Sequence, residues 1–391
     1  MKSSDIKALD KQYVANTYAR FDLVLKSGKG ATCFDCEGHS YIDFTSGIGV
    51  NSLGFCCDKW SAAVAAQAGT LNHVSNLYYT EPGAFLAEKL CRKTGYKKVF
   101  FGNSGAEANE GAIKAARKYS YDKYGEGRST ILTLINSFHG RTVTTLSATG
   151  QEHFHQFFFP FTGDFSYALA NDIADVKEKL DNSVCAVMIE FIQGEGGVIP
   201  LDKSFVNELS YLCAEKDILL IADEVQTGVG RTGKFLASEW YGIHPDITTL
   251  AKGLGGGLPI GAVLLGDKTE FVLGYGDHGS TFGANPISCA GANVVMDIVA
   301  EPAFLQKVAS RFEQTSTALS GCKEVLEITG KGMMIGISLL NKKSGDVAKA
   351  CIEKGLLVLT AKEKVRLLPP LNISDEEFKK GLEILKSVLD Q

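Results

Sequence analysis

No apolar run in these 391 residues reaches the length of about 18 that a membrane-crossing helix needs, so no membrane span is expected. The opening Met1-Lys-Ser-Ser-Asp-Ile-Lys-Ala-Leu-Asp10 lacks a hydrophobic h-region and carries acids, which argues against a secretory signal. An excess of basic charge is missing as well. The net charge is −5 and the pI is near 5.9, which argues against nucleic acid or an anionic membrane as the main partner. Ten cysteines are present, but Cys33 and Cys36 form a lone CxxC and Cys56-Cys57 are adjacent. No second pair stands at zinc-binding spacing, so reduced packing cysteines and no metal are expected. Repeats and low-complexity tracts are absent. What remains is a soluble, cytoplasmic chain, 45% apolar, long enough to bury a large core and to divide into two domains.

The chemistry is written between Ile218 and Gly257. Ile218-Leu-Leu-Ile-Ala222 is short and uniformly apolar, the pattern of a strand buried on both faces. It ends in Asp223 and Glu224, beyond the carboxyl end of a strand, where open α/β sheets place their ligands. Asp246-Ile-Thr-Thr-Leu-Ala251 predicts a second buried strand that delivers Lys252 into Gly253-Leu-Gly-Gly-Gly257. Lysine seldom goes inside unless it is paired or reactive. A lysine and a carboxylate on successive strand ends suit an aldehyde cofactor. The amine forms a Schiff base with pyridoxal phosphate, and the acid keeps the pyridine nitrogen protonated.

Two other motifs overlap this stretch. Gly228-Val-Gly-Arg-Thr-Gly233 matches GxGxxG, but no clear crossover helix leads on to a ribose-binding acid. Gly228 to Lys234 matches GxxxxGK, but Phe235 stands where magnesium would need Ser or Thr. A nucleotide-binding oxidoreductase therefore stays a minor alternative.

Elsewhere, Val99-Phe-Phe predicts a strand leading into Gly102-Asn-Ser-Gly-Ala106. Ser104 and Glu107 have capping-box spacing ahead of an alanine-rich helix to Tyr124. Such a turn aims free backbone N–H groups at an anion. Ile131-Leu-Thr-Leu-Ile135 ends in Asn136-Ser-Phe-His-Gly-Arg141. Phe138 offers a flat face to a ring, and Arg141 offers a fork to a carboxylate; His139 is given no role. Residues 150–182 read as less regular, with Phe157-Phe-Phe-Pro-Phe161 taken as packing. Cys185-Ala-Val-Met-Ile-Glu190 is another buried strand, followed by Glu195. After a short polar start, residues 21–44 predict a small antiparallel ribbon, and the C-terminal part alternates helices and strands, with Leu356-Leu-Val-Leu359 as one strand, to a closing helix at 374–390.

Asp-Glu-Val-Gln-Thr-Gly-Val-Gly-Arg-Thr-Gly233 with Asp-Ile-Thr-Thr-Leu-Ala-Lys252-Gly-Leu-Gly-Gly-Gly-Leu-Pro-Ile-Gly-Ala resembles the signature of class III (subgroup II) pyridoxal-phosphate aminotransferases, and among them the acetylornithine branch. The resemblance covers nearly the whole chain. It implies the α/β, aspartate-aminotransferase-like fold (fold type I), with a large mixed-sheet domain over 46–285. A smaller α/β domain would be built from the N-terminal segment 1–45 and residues 286–391.

The resemblance also implies roles. Lys252 is the Schiff-base residue and general base, and Asp223 faces the ring nitrogen. Gln226 bonds the ring hydroxyl, while Phe138 and Val225 cover the two ring faces. Ser104, Gly105 and Ala106 cradle the phosphate; Ser280 and Thr281 reach the phosphate of a neighbouring subunit, which implies a homodimer with shared active sites. Arg141 holds a substrate carboxylate, and Arg366 receives glutamate under the control of a switchable Glu195. The small-molecule substrates implied are N-acetylornithine and 2-oxoglutarate, giving N-acetylglutamate semialdehyde and glutamate in arginine biosynthesis. Ornithine, succinylornithine and 4-aminobutyrate are alternative donors, and an aminomutase on the same fold is an alternative reaction. Ile48 stands where the ornithine enzymes carry tyrosine, which favours an acetylated donor. The chain departs from the family pattern at Phe55-Cys-Cys-Asp58, where Gly54 is usually followed by His-x-His-Pro, and at Phe191, where proline is usual.

Overall fold

The computed structural model describes residues 2–391. Near the N-terminus, β1 (Leu25–Lys29), β2 (Thr32–Asp35) and β3 (Ser40–Asp43) form the expected antiparallel ribbon. It is preceded by a helix, Ser3–Tyr13, where the sequence read only a polar start. Ser46–Gly49 then turns left-handed: Ser46, Gly47, Ile48 and Gly49 have φ of 47°, 59°, 65° and 77°. That conformation costs non-glycine residues roughly 1–2 kcal/mol each. The Asp43 carboxylate holds the turn by accepting from Thr45 N–H at 2.7 Å, Thr45 Oγ1 at 2.6 Å and Ser46 N–H at 3.1 Å.

The central sheet is built from β4 (Lys98–Gly102), β5 (Thr130–Leu134), β6 (Phe165–Ala168) and β7 (Val184–Ile189). After a short hairpin, β8 (Ile192–Gln193) and β9 (Ile199–Pro200), it continues with β10 (Leu219–Asp223), β11 (Ile247–Leu250) and β12 (Gly261–Leu265). The order is β4-β12-β11-β10-β7-β5-β6. β12 alone runs opposite to the other six strands. Residues 251–260 are too few for the dozen or so that a parallel crossover needs, so the chain must turn back after Lys252.

Both faces of this sheet are covered, which explains its continuous apolar strands. Leu219 and Ile221 point toward Ala108, Ala112, Ala115 and Ala116 of the helix Gly105–Tyr124. Leu220 and Ala222 point the other way, onto Phe205, Val206 and Leu209 of the helix Lys203–Glu215. The helix Pro286–Val299 packs on the helices Asp58–Thr70 and Glu81–Thr94.

The C-terminal sheet contains β13 (Val325–Lys331) and β14 (Met334–Leu339). Leu356–Leu359, expected as one strand, is divided at Val358. β15 (Leu356–Leu357) pairs parallel with β3, whereas β16 (Leu359–Ala361) pairs with β17 (Lys364–Leu367). The helices Pro302–Leu319, Ser344–Glu353 and Asp375–Leu389 complete this region.

Two further expectations need correction or closure. Phe157, Phe158 and Phe159 are 80%, 57% and 69% exposed, so this run is not core packing. Gly228, Gly230 and Gly233 do not open a cradle for a dinucleotide. A Cβ there would lie 2.5 Å from Leu250 Cδ2, Val299 Cγ1 or Ala309 Cβ respectively, and Gly230 and Gly233 have φ of 83° and 88°. The glycines serve close packing, and buried Arg231 between them donates to the carbonyls of Met333 and Pro369. Among the described residues, no single helix is long and apolar enough to cross a membrane.

Candidate active site

β10, β11 and the N-terminus of Gly105–Tyr124 converge on a cavity of about 430 Å³. Asp223, the last residue of β10, is only 4% exposed yet lines this cavity. Its Oδ2 accepts from His139 Nδ1 at 2.8 Å and from Asn109 Nδ2 at 2.8 Å, and its Oδ1 accepts from Val225 N–H at 3.0 Å. Asn109 Nδ2 also donates to the His139 carbonyl, while Thr249 on β11 donates to Asn109 Oδ1 at 2.7 Å. A buried charge is tolerated only with such bonding. The carboxylate is thereby tied to a strand, a helix and the loop after β5.

Lys252 stands two residues past the end of β11, after Ala251, and opens a one-turn 3-10 helix. Its amine opens onto the cavity but is ringed by enough protein to lose hydration, and this burial lowers its pKa. Nearby Glu190 is pushed up to about 7, chiefly by burial; the charge of His139 opposes the shift and that of Asp223 adds to it. Glu190 accepts from Phe138 N–H at 2.9 Å, so it fixes the segment that carries Phe138.

At the start of Gly105–Tyr124, Ser104 Oγ accepts from Glu107 N–H and the Ser104 carbonyl accepts from Ala108 N–H. The N–H groups of Gly105 and Ala106 remain for an anion, with the positive end of the helix dipole behind them. Gly105 is required there because a Cβ would stand 2.6 Å from Val225 Cγ1.

Arg366, on β17, is 3% exposed and donates through Nη1 to Glu195 Oε1 at 2.6 Å. The same Nη1 lies 3.3 Å from Gln226 Oε1, and Gln226 Nε2 lies 3.4 Å from Glu195 Oε1. Burial works to raise the Glu195 pKa, but the charge and hydrogen bond of Arg366 outweigh it and hold the acid below its ordinary value. Arg141 differs. It is exposed, and it makes no hydrogen bond or ion pair with the described residues. Its guanidinium lies over the rings of Phe154 and Phe138, at 4.3 and 5.5 Å from their centroids.

Of the residues singled out from the sequence, Ser104, Gly105, Ala106, Phe138, Arg141, Asp223, Val225, Gln226 and Lys252 line the one cavity. Glu195 and Arg366 join through Gln226. Ser280 and Thr281 do not line it: Ser280 Oγ accepts from Asn103 Nδ2 at 3.0 Å at the rim, and Thr281 is exposed. The sequence reading passed over Asn109, Glu190 and His139. His139, given no role from sequence, grips the key carboxylate, and its buried Nε2 is left without a partner. Asn109 carried a legible signal, being a polar residue on the sheet-facing alanine stripe of its helix.

These groups fit pyridoxal phosphate. An anion cradle, a buried carboxylate with bonded oxygens, a lysine of lowered pKa and the apolar side chains of Phe138 and Val225 line one space. A family model described as aminotransferase class-III matches residues 13–389. The chain is 54% identical over 393 residues to the acetylornithine aminotransferase of Haemophilus ducreyi, with 100% of each covered. It superposes on the ornithine aminotransferase of Toxoplasma gondii with a TM-score of 0.95 at 32% identity, covering 100% of this chain and 95% of that one. The N-acetylornithine aminotransferase of Stenotrophomonas maltophilia gives a TM-score of 0.84 at 34% identity, with 97% of each chain covered. From end to end, in sequence and in fold, the chain belongs to the class-III aminotransferases, pyridoxal-phosphate-dependent enzymes of fold type I.

Proposed function

We propose that the enzyme exchanges the side-chain amine of N-acetylornithine for the oxo group of 2-oxoglutarate, giving N-acetylglutamate semialdehyde and glutamate. The observation that carries the reading is a pair of arginines in unlike states. Arg141 is exposed and unpaired among the described residues, while Arg366 is buried and covered by Glu195. An N-acylated ω-amino donor has its carboxylate far from the reacting amine and needs one cation, Arg141. Glutamate has two carboxylates and needs the second, Arg366, once Glu195 moves aside. The identity to the Haemophilus ducreyi relative supports the choice of donor.

When bound, pyridoxal phosphate supplies an aldehyde that captures the amine and a ring that draws electrons from the substrate carbon. Lys252 Nζ would hold the cofactor and then move the proton at that carbon, a task that the lowering of its pKa by burial favours. Asp223 keeps the ring nitrogen protonated, with Asn109 and His139 fixing its orientation. Ser104 and the N–H groups of Gly105 and Ala106 hold the phosphate. Phe138 and Val225 would cover the two ring faces, and Gln226 would bond the ring hydroxyl.

The same reading makes the enzyme a homodimer in which Ser280 and Thr281 serve the neighbouring subunit's phosphate. Exposed Leu77, Tyr78 and Tyr79 support this face, because Asn76 ties that segment to the carbonyls of Ser280 and Gly283. We divide the chain into an N-terminal segment to residue 45, a large unit over 46–285 and a small unit over 286–391; the β3–β15 pairing supports grouping the first with the last. A cytoplasmic place in arginine biosynthesis suits ten free thiols.

A donor panel with 2-oxoglutarate, read by glutamate formation, tests the reading. N-acetylornithine should give the highest kcat/KM. A higher value with ornithine, succinylornithine or 4-aminobutyrate, or product formation without an oxo acid, would overturn it.

A further inference from the structure

We infer that Phe154 is a positioning residue that determines recognition of the donor carboxylate, by clamping Arg141 through the face of its guanidinium. The inference rests on the reading of Arg141 as the carboxylate anchor.

An anchoring arginine meets conflicting demands. Its long side chain has large rotamer freedom that must be lost for two-point binding. Ion pairs or hydrogen bonds that fixed it would occupy the N–H edges that the substrate needs. Stacking resolves the conflict, because an aromatic face holds the plane and leaves the edges free. Arg141 lies over two such rings and makes no hydrogen bond or ion pair with the described residues, so its N–H groups stay free. Its guanidinium carbon lies 4.3 Å from the Phe154 centroid and 5.5 Å from that of Phe138. The two rings are themselves 6.0 Å apart at 64°, an edge-to-face pair.

Phe154 is in turn held from behind. The His153 ring packs against it, tilted by 41°, with the ring centroids 3.9 Å apart. The short helical turn Glu152–Phe154 is pinned on both sides: Gln151 Nε2 donates to the Ser137 carbonyl at 3.0 Å, and His155 Nε2 donates to the Leu146 carbonyl at 2.8 Å. Both anchors tie the segment back to the loop and helix around Phe138 and Arg141. Phe138 is held separately by its N–H bond to Glu190. Arg141 is therefore fixed against two independently supported rings, one of which also lines the cavity. Phe154 touches neither the cavity nor the reacting atoms; its effect is on a carboxylate, through Arg141.

The test compares N-acetylornithine with N-acetylputrescine, which has the same amine and acyl group but no carboxylate. Phe154→Leu keeps apolar bulk and removes the ring; Phe154→Tyr keeps the ring. In the holoenzyme, Phe154→Leu should raise KM for N-acetylornithine by about 2- to 30-fold, the range of a lost cation–π contact. Its kcat should be nearly unchanged, and kcat/KM for N-acetylputrescine should be unaffected. Phe154→Tyr should restore the wild-type KM. An unchanged KM in Phe154→Leu, or equal losses on both donors, overturns the inference. Arg141→Ala distinguishes the two levels: if it fails to discriminate the donors, the anchor reading fails; if it discriminates and Phe154→Leu does not, only the clamp fails.

Discussion

Breaking the Glu195–Arg366 pair from each side should give unequal results, and the structure indicates which is worse. The contact is 2.6 Å, with Arg366 3% and Glu195 30% exposed. A hydrogen bond to a charged group contributes roughly 1.5–3 kcal/mol, so losing Arg366 should cost about 10- to 150-fold where glutamate is the substrate. The half-reaction with N-acetylornithine should change little. Glu195→Gln does the reverse: it leaves Arg366 open to the donor's carboxylate, so the donor misbinds while glutamate is still accepted. The stability effects should be asymmetric too. Arg366→Ala leaves an acid with partial access to water. Glu195→Gln leaves a buried guanidinium with weak partners, and stranding a buried charge costs up to about 3–5 kcal/mol. Glu195 is held below the ordinary carboxylate value of 4.5. Its contribution to stability is therefore full at neutral pH and disappears as pH falls through the folded-state value. Single-turnover absorbance with each substrate, together with urea unfolding from pH 7 downward, reads all of this. Equal slowing of both half-reactions by both variants would refute the gate and leave a fixed ion pair, whereas a stability difference with no pH dependence would refute the pair itself.

Other substitutions test the rest of the site. Lys252→Ala should retain cofactor without covalent attachment and lose turnover almost completely; in the wild type, borohydride should fix the cofactor to Lys252 alone, as read by peptide mass. Asn109→Ala removes one of two side-chain donors to Asp223 Oδ2 and should lower kcat by about 10-fold, the scale of one charge-assisted hydrogen bond; an unchanged kcat would show that His139 alone orients the acid. Gly105→Ala places a Cβ 2.6 Å from Val225 Cγ1 and should weaken cofactor binding in equilibrium dialysis; wild-type affinity would show that Val225 gives way freely.

Much of this arrangement was legible in the sequence because its signals are local. Asp223 ends, and Lys252 closely follows, strands whose apolar runs are bounded and short, and Ser104 announces a helix start. The direction of β12 was not legible. Gly261–Leu265 is as apolar as the parallel strands of the sheet, and only the length of the preceding connection turns it around. The division at Val358 escaped for a related reason, since two apolar strands in different sheets read as one run. Asn109 and His139 act through partners far away in the chain, at Asp223 and Thr249. Spacing along a helix or strand cannot reveal such meetings. The exposure of Phe157 to Phe159 likewise depends on what the fold leaves uncovered, not on hydrophobicity.

The parallel pairing of Ile42 and Asp43 with Leu356 and Leu357 also governs how this enzyme comes into being. During synthesis β3 emerges early and must wait for β15, which leaves the ribosome more than 300 residues later. At about 5–20 residues per second that interval lasts tens of seconds. Through it, the open edge of the ribbon is a template for other strands. Closing so long a loop is slow even though its entropy grows only logarithmically. The N-terminal ribbon therefore stands to gain from chaperone protection on the nascent chain. A chain cut short before residue 356 would leave that edge permanently unpaired, and would reach the cell as an aggregation-prone fragment rather than as a smaller enzyme.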